Sequence, residues 1–173
     1  MLRRDQDVSA IGDAPTTPQI ESVAVDSAAL PAGSAEAVPI EALRAHEFPV
    51  TGSTAVTAVK REAELVKRYQ TYLEKRGSSC KRNRIRLPGE LGAKFTDLFD
   101  ETANVLYEAK GVATREAVRM ALGQLLDYSR HIPTTPDLAV LLPASPTADL
   151  LDLLSRHNIR CVYEDTTGVF TDA

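Results

Sequence analysis

Phe95-Thr-Asp-Leu-Phe-Asp-Glu-Thr-Ala-Asn-Val-Leu-Tyr-Glu-Ala-Lys110 is the stretch whose reading decides the fold. Two short runs, Phe95–Asp100 and Asn104–Lys110, carry β-favouring residues, and the polar link Asp100-Glu-Thr-Ala-Asn104 between them is rich in turn formers. The pattern predicts a β-hairpin. A turn centred between Thr102 and Ala103 sets Asp97 directly across from Glu108, with Cβ atoms roughly 4.5–5.5 Å apart. Lys110 lies two residues beyond Glu108 and so faces the same side of the sheet. Two carboxylates at that separation repel unless a cation stands between them. The grouping suits a hard divalent metal held by one or two carboxylates, with Lys110 orienting water or stabilising charge. An Asp–Glu–Lys cluster on a hairpin also occurs as plain surface charge. Against that, Val105-Leu-Tyr107 is largely apolar up to Glu108, which places the carboxylate at the end of a strand expected to be buried.

Working outward, residues 61–76 are helix formers with Leu65, Tyr69, Tyr72 and Leu73 as one apolar stripe, closed by Gly77. Cys80–Leu87 reads as a strand that stops at Pro88-Gly89. Residues 115–130 form a second helix with Thr114 as N-cap, Glu116 in its first turn, and Val118, Leu122 and Leu125 turned inward. Asp137–Leu142, with the run Leu138-Ala-Val-Leu-Leu142, suits a strand covered on both faces. A third helix runs to about Arg156, with Ser145 as its cap and Pro146 at its first position. Ile159–Tyr163 is the last strand expected. The order α-β-β-β-α-β-α-β predicts an α/β fold, a mixed sheet flanked by helices.

The folded domain is expected over residues 54–173. Residues 1–52 read as a flexible tail or linker: 22 of the 52 are Ala, Pro, Gly or Ser, Phe48 is the one aromatic, and five prolines bar any long helix. Pro39–His46 has the spacing for a short helix within that tail. The 173 residues are 43% hydrophobic, which suffices for a core, and only 5% aromatic with no tryptophan, which disfavours an aromatic-lined carbohydrate pocket. Two cysteines exclude a disulfide scaffold and a four-cysteine zinc site. No apolar run is long enough to span a membrane, and no apolar block follows Arg3 and Arg4 as in a signal peptide, so a cytoplasmic setting with no membrane partner is expected.

The net charge of -4 conceals an asymmetry: residues 1–59 carry -5, residues 60–94 carry +7 and residues 95–173 carry -6. Within the basic stretch, Lys81, Arg82, Arg84 and Arg86 fall on one predicted strand, with the three arginines on one face. Such a row makes a phosphate-binding ridge for nucleic acid, or a charged edge that blocks sheet-to-sheet aggregation. On the second helix Gln124 and Tyr128 lie four apart and share a face, offering an amide and a hydroxyl; a core tyrosine and a solvated glutamine are the plainer account. His46, His131 and His157 are scattered without metal-ligand spacing. Cys80 and Cys161 have no histidine partner in sequence that argues for thiol catalysis. No Gly-rich phosphate loop is present, so ATP hydrolysis has no support.

The strings Thr96-Asp-Leu-Phe-Asp100, Leu106-Tyr-Glu-Ala-Lys110 and Gly123-Gln-Leu-Leu-Asp-Tyr128 together resemble the PD-(D/E)XK nucleases, the restriction-endonuclease-like superfamily, over about residues 60–165. Gln124 and Tyr128 resemble the Q-x-x-x-Y motif of its RecB-like and Cas4-like branch. The resemblance also extends to the C-terminal module of some larger actinobacterial restriction-type proteins. It implies a helix, a three-stranded meander, a crossover helix and a further strand. It further implies a Mg²⁺-dependent (or Mn²⁺-dependent) nuclease that hydrolyses DNA in restriction, defence or repair, within a larger assembly. Asp97 and Glu108 would be metal ligands, Lys110 the motif lysine, and Gln124 and Tyr128 positioning groups. Some branches add an acidic residue from the first helix, for which Glu64 is the best match, with Glu62 behind it. Thr96 stands where the family label has proline. The alternative is a nuclease-like module that binds nucleic acid or a protein without cutting.

Overall fold

The computed structural model describes residues 34–40 and 53–173. The hairpin forms in the register its turn implies: Leu98 opposes Tyr107, Phe99 opposes Leu106 and Asp100 opposes Val105. Asp100 holds the turn, its Oδ1 accepting from the Thr102 and Ala103 amides at 2.9 and 3.1 Å. Asn104 ends it at a φ of 53°, a conformation that asparagine tolerates better than most side chains.

The elements in chain order are β1 (Ser34–Val38), α1 (Ser53–Glu74), β2 (Cys80–Arg86), β3 (Lys94–Phe95), β4 (Leu98–Asp100), β5 (Val105–Ala109), α2 (Arg115–Ser129), β6 (Asp137–Leu142), α3 (Ala148–Ser155), β7 (Ile159–Thr166) and β8 (Val169–Asp172). They build one mixed eight-stranded sheet in the order β1-β2-β4-β5-β6-β7-β8, with β3 paired to β2. The strands β5, β6 and β7 are parallel, and the other pairings are antiparallel. The α/β class and the mixed, helix-flanked sheet agree with the sequence.

Both faces of the sheet are covered. On one, Leu65, Val66, Tyr69 and Leu73 of α1 pack on Leu98, Val105, Tyr107, Ala109, Leu141 and Phe170. On the other, Val118, Ala121 and Leu125 of α2 and Leu150 and Leu154 of α3 pack on Phe99, Leu106, Val140, Leu142 and Cys161. Alternation along β5 thus sends Val105, Tyr107 and Ala109 to α1, and Leu106 and Glu108 toward α2. All five residues of β5 are buried. An ionisable residue in such a strand is costly unless it has partners.

Three expectations are corrected, and a fourth lies largely outside the described residues. Ser34–Val38, inside the segment read as a flexible tail, is strand β1, paired antiparallel with Arg82–Arg86 of β2. Small residues of weak β preference hid it, and the pairing is set by a basic neighbour: Glu36 opposes Arg84. Of the short helix read over Pro39–His46, only residues 39 and 40 lie within the described part. The third helix begins after Thr147, not Ser145: Thr147 has extended backbone, and the Leu150 amide donates to its carbonyl at 2.9 Å. Finally, β7 runs on past Tyr163 and folds back through Gly168, at a φ of 80°, into β8.

Candidate active site

The expected strand Phe95–Asp100 is interrupted, and the interruption aims Asp97. Pairing with β2 runs Cys80 to Asp100 and Lys81 to Phe99 on one side of the break, but Arg84 to Phe95 and Ile85 to Lys94 on the other. The register slips by one residue, so Thr96 and Asp97 together occupy the space opposite Asn83, as in a β-bulge. Thr96 is fully buried and clasps Asn83, its amide donating to the Asn83 carbonyl at 3.0 Å and its Oγ1 accepting from the Asn83 amide at 2.8 Å. The threonine standing where the family label has proline is therefore a strand clamp.

The break leaves β5 without a strand partner at its carboxyl end on this side. The last β4–β5 pair is Leu98 with Tyr107. The Ala109 amide accordingly donates to Asp97 Oδ2 at 2.8 Å. On the β6 side, the Lys110 amide donates to the Leu141 carbonyl at 3.0 Å. Asp97 is in this way tied to the strand that carries Glu108 and Lys110.

Glu108 is 3% exposed, and Lys110 Nζ donates to its Oε1 at 2.9 Å. Burial, followed by the negative charge of Asp97, pushes the Glu108 carboxyl well above the usual range, against the pull of Lys110. Burial alone would lower Lys110, but Glu108, Asp97 and Glu62 outweigh it and hold the ammonium above its ordinary value. The three residues named from the hairpin thus act on one another at the carboxyl end of β5.

The first-helix carboxylate is Glu62 rather than Glu64. The charge of Glu62 reaches both Glu108 and Lys110, whereas Glu64 is exposed and acts on Arg68. Helical phase explains the correction: Leu65 and Val66 are buried, Glu62 stands three and four residues before them, and Glu64 stands four before the half-buried Arg68. Glu64 is dropped as a metal ligand.

Tyr128 and Gln124 do meet. Tyr128 is half-buried; burial raises its hydroxyl pKa, a hydrogen bond from Gln124 opposes this, and the negative charge of Glu108 adds to it. Gln124 Oε1 is buried without a hydrogen-bond partner. Tyr128 also packs on the apolar cluster beneath α2, so it is both a core residue and a neighbour of the site.

The basic row on β2 is not a free ridge. Arg82 is 6% exposed, donates through Nε to the Thr96 carbonyl at 2.6 Å and lies over the Phe95 ring. Arg84 is paired with Glu36 at 2.8 Å, and Lys81 with Glu101 at 3.0 Å. Arg86 opposes Ser34 in the β1 ladder and is half-buried. Arg82, Arg84 and Lys81 thus fasten β2 to its neighbours. A sequence cannot display this, because β1 and the bulge that recruit them are long-range partners.

The thiols are inert: burial pushes Cys80 up to about 12 and Cys161 up to about 11. Among the described residues, no three His, Cys, Asp or Glu side chains are grouped so as to hold a metal ion; the expected donors Asp97 and Glu108 are a pair. Two hard carboxylates fit Mg²⁺, which keeps several waters and completes its shell with substrate phosphates. The raised Glu108 carboxyl and the unpartnered Gln124 oxygen are the features that a hydrated cation would relieve. No helix among the described residues is long and apolar enough to cross a membrane. Comparison with protein-family models, with curated proteins and with solved structures finds no match for this chain.

Proposed function

We propose that the chain is a restriction-endonuclease-like, divalent-metal-dependent nuclease domain that hydrolyses DNA phosphodiester bonds in restriction, defence or repair. The observation that carries the reading is the buried Glu108 carboxyl, held between the field of Asp97 and the ammonium of Lys110 at the end of a doubly covered strand. Nothing in packing calls for a carboxylate there.

Asp97 and Glu108 would hold Mg²⁺ or Mn²⁺, which supplies Lewis acidity at the scissile phosphate when bound. Asp97 Oδ2 is taken by the Ala109 amide and Glu108 Oε1 by Lys110. Lys110, kept cationic by its carboxylate neighbours, stabilises negative charge as it grows on the phosphate oxygens. In the overall reaction water adds its oxygen to phosphorus, the P–O3′ bond breaks, and the departing alkoxide takes up a proton. Gln124 and Tyr128 orient water or the phosphate on the α2 side.

The test is cleavage of linear, nicked, single-stranded and base-modified DNA by purified protein. Cutting in Mg²⁺ or Mn²⁺ that stops in EDTA and in Asp97→Asn supports the reading. Equal cutting by Asp97→Asn places the activity elsewhere. Absence of cutting on every substrate, with no calorimetric signal for either metal, replaces it with a non-cutting module.

A further inference from the structure

With the β2 cations committed to internal partners, the charge of the basic middle stretch emerges elsewhere. An open groove of about 450 Å³ lies between the C-terminal half of α1 and the β7–β8 turn, and its lining includes Lys67, Arg68, Tyr72, Lys75 and Arg76. Two helical rows make one wall: Lys67, Thr71 and Lys75, and beside them Arg68, Tyr72 and Arg76. Each row rises through eight residue steps, roughly 12 Å of helix, or about three to four base pairs of one duplex strand at 3.4 Å per step.

The cations here differ in how far they are neutralised. Arg68 is spent: it forks onto Glu164 through two bonds of 2.6 and 2.7 Å, and the Gly168 amide donates to the same carboxylate at 2.8 Å. That pair neutralises Arg68 and ties the β7–β8 turn to α1. Lys67 and Lys75 are exposed and have no ion-pair partner among the described residues. Arg76 lies 3.5 Å over the Tyr72 ring and donates to a backbone carbonyl, so its charge also stays unneutralised. Tyr72 stacks in turn near Tyr69 at 5.7 Å. A cationic groove of this kind takes phosphates.

The groove lies on the α1 side of the sheet, where Arg68 holds Glu164, whereas Glu108 points toward α2. Ala109, Leu141 and Val162 are in register across β5, β6 and β7. Lys110 lies one residue beyond that row, and Glu164 two. The two strands are separated by two inter-strand steps, roughly 10 Å.

We propose that this groove, through Lys67, Lys75 and Arg76, binds the phosphodiester backbone of nucleic acid and is the principal grip on the polymer. The proposal names the binding surface for the function above, but the binding itself needs neither metal nor cutting. It is tested by fluorescence anisotropy with labelled single-stranded DNA, duplex DNA and RNA of equal length, in EDTA, using the full chain and a salt series. Lys67→Glu with Lys75→Glu should weaken binding at least tenfold and reduce the slope of log affinity against log salt on duplex by about 1.8, since each lost phosphate contact removes about 0.9. Arg119→Glu with Arg156→Glu, a control reversal on exposed faces of α2 and beyond α3, should bind as the parent does, and thermal melts should show both proteins folded. Binding that is unchanged in the lysine pair, equally lost in the control pair, or absent from all three nucleic acids overturns the proposal. Salt-sensitive binding that depends on Lys67 and Lys75 in a protein that never cuts upholds this surface and overturns the nuclease reading alone.

Discussion

Asp97 has two separable duties, and a pair of substitutions parts them. Its Oδ2 accepts from the Ala109 amide at 2.8 Å, where Ala109 is fully buried, and its charge acts on Glu108 and Lys110. Asp97→Asn keeps an oxygen for the amide and deletes the charge. Asp97→Ala deletes both and leaves a buried donor unmade, a loss of about 1–3 kcal/mol. Each removes the like-charge pressure on Glu108 to the same extent, so that contribution cancels between them. At about 2–4 °C per kcal/mol for a chain of this length, Asp97→Ala should melt roughly 2–12 °C below Asp97→Asn in EDTA. Millimolar Mg²⁺ should raise the melting temperature of the parent and leave both variants where they were, because a ligand that binds only the folded state stabilises it by mass action. The assay is a thermal melt followed by circular dichroism, with and without the ion. Equal melting of the two variants would refute the bulge-and-clamp account of Asp97. A full Mg²⁺ response in Asp97→Asn would refute its place in a metal site.

The remaining predictions concern the residues around it. Lys110→Met should lower DNA cleavage by about a hundredfold or more, the scale of losing one charge-stabilising group, while the Mg²⁺-induced rise in melting temperature survives; loss of that rise would make Lys110 a structural support of the carboxylates instead. Glu62→Gln should weaken the Mg²⁺ response measured by calorimetry, and Glu64→Gln should leave it unchanged; the reverse order would restore Glu64 to the site. Arg68 holds the Glu164 carboxyl below the usual range through their hydrogen bonds, so this pair stabilises the fold above the unfolded value of about 4.3 and ceases to as pH falls through the lower folded one. Glu164→Gln should cost roughly 0.5–1 kcal/mol at pH 7 for a partly exposed pair and flatten the acid limb of the stability curve, and a limb as steep as the parent's in denaturant titrations would contradict it.

How much of this was legible in the sequence depended on range. The hairpin register follows from the turn-forming link Asp100-Glu-Thr-Ala-Asn104, and it sets Asp97 against Glu108. The doubly covered strand β6 was plain from Leu138-Ala-Val-Leu-Leu142, and α2 from its cap, where the Ala117 amide donates to Thr114 Oγ1 at 3.4 Å. These are local signals. What stayed hidden needs partners distant in sequence. β1 has no apolar alternation of its own and exists because β2 offers it an edge. The arginines of β2 look like a nucleic-acid ridge until the Thr96 carbonyl and Glu36 take them. The phase of α1 was ambiguous between Glu62 and Glu64 until the buried Leu65 and Val66 fixed which side faces the sheet.

The bulge joins these levels. An unbroken strand from Lys94 to Asp100 would carry its ladder with β5 on past Leu98, and a backbone carbonyl would then reach the Ala109 amide. The Asp97 side chain would have no amide to hold it and only repulsion from Glu108. The one-residue slip opposite Asn83 removes that carbonyl, and the freed amide fixes the carboxylate beside its like-charged neighbour. Thr96 makes the slip affordable by satisfying both polar groups of Asn83's backbone. The electrostatic stress at Glu108 therefore has a structural cause two strands away, and Thr96 controls it without touching it. Thr96→Val, which keeps the shape and deletes the hydroxyl, should leave the Asn83 amide unmade at a cost of about 1–3 kcal/mol. It should also loosen Asp97 enough to reduce the Mg²⁺ response. A variant that loses stability while its Mg²⁺ affinity, by calorimetry below its melting temperature, stays at the parent's value would show that the bulge supports the fold alone.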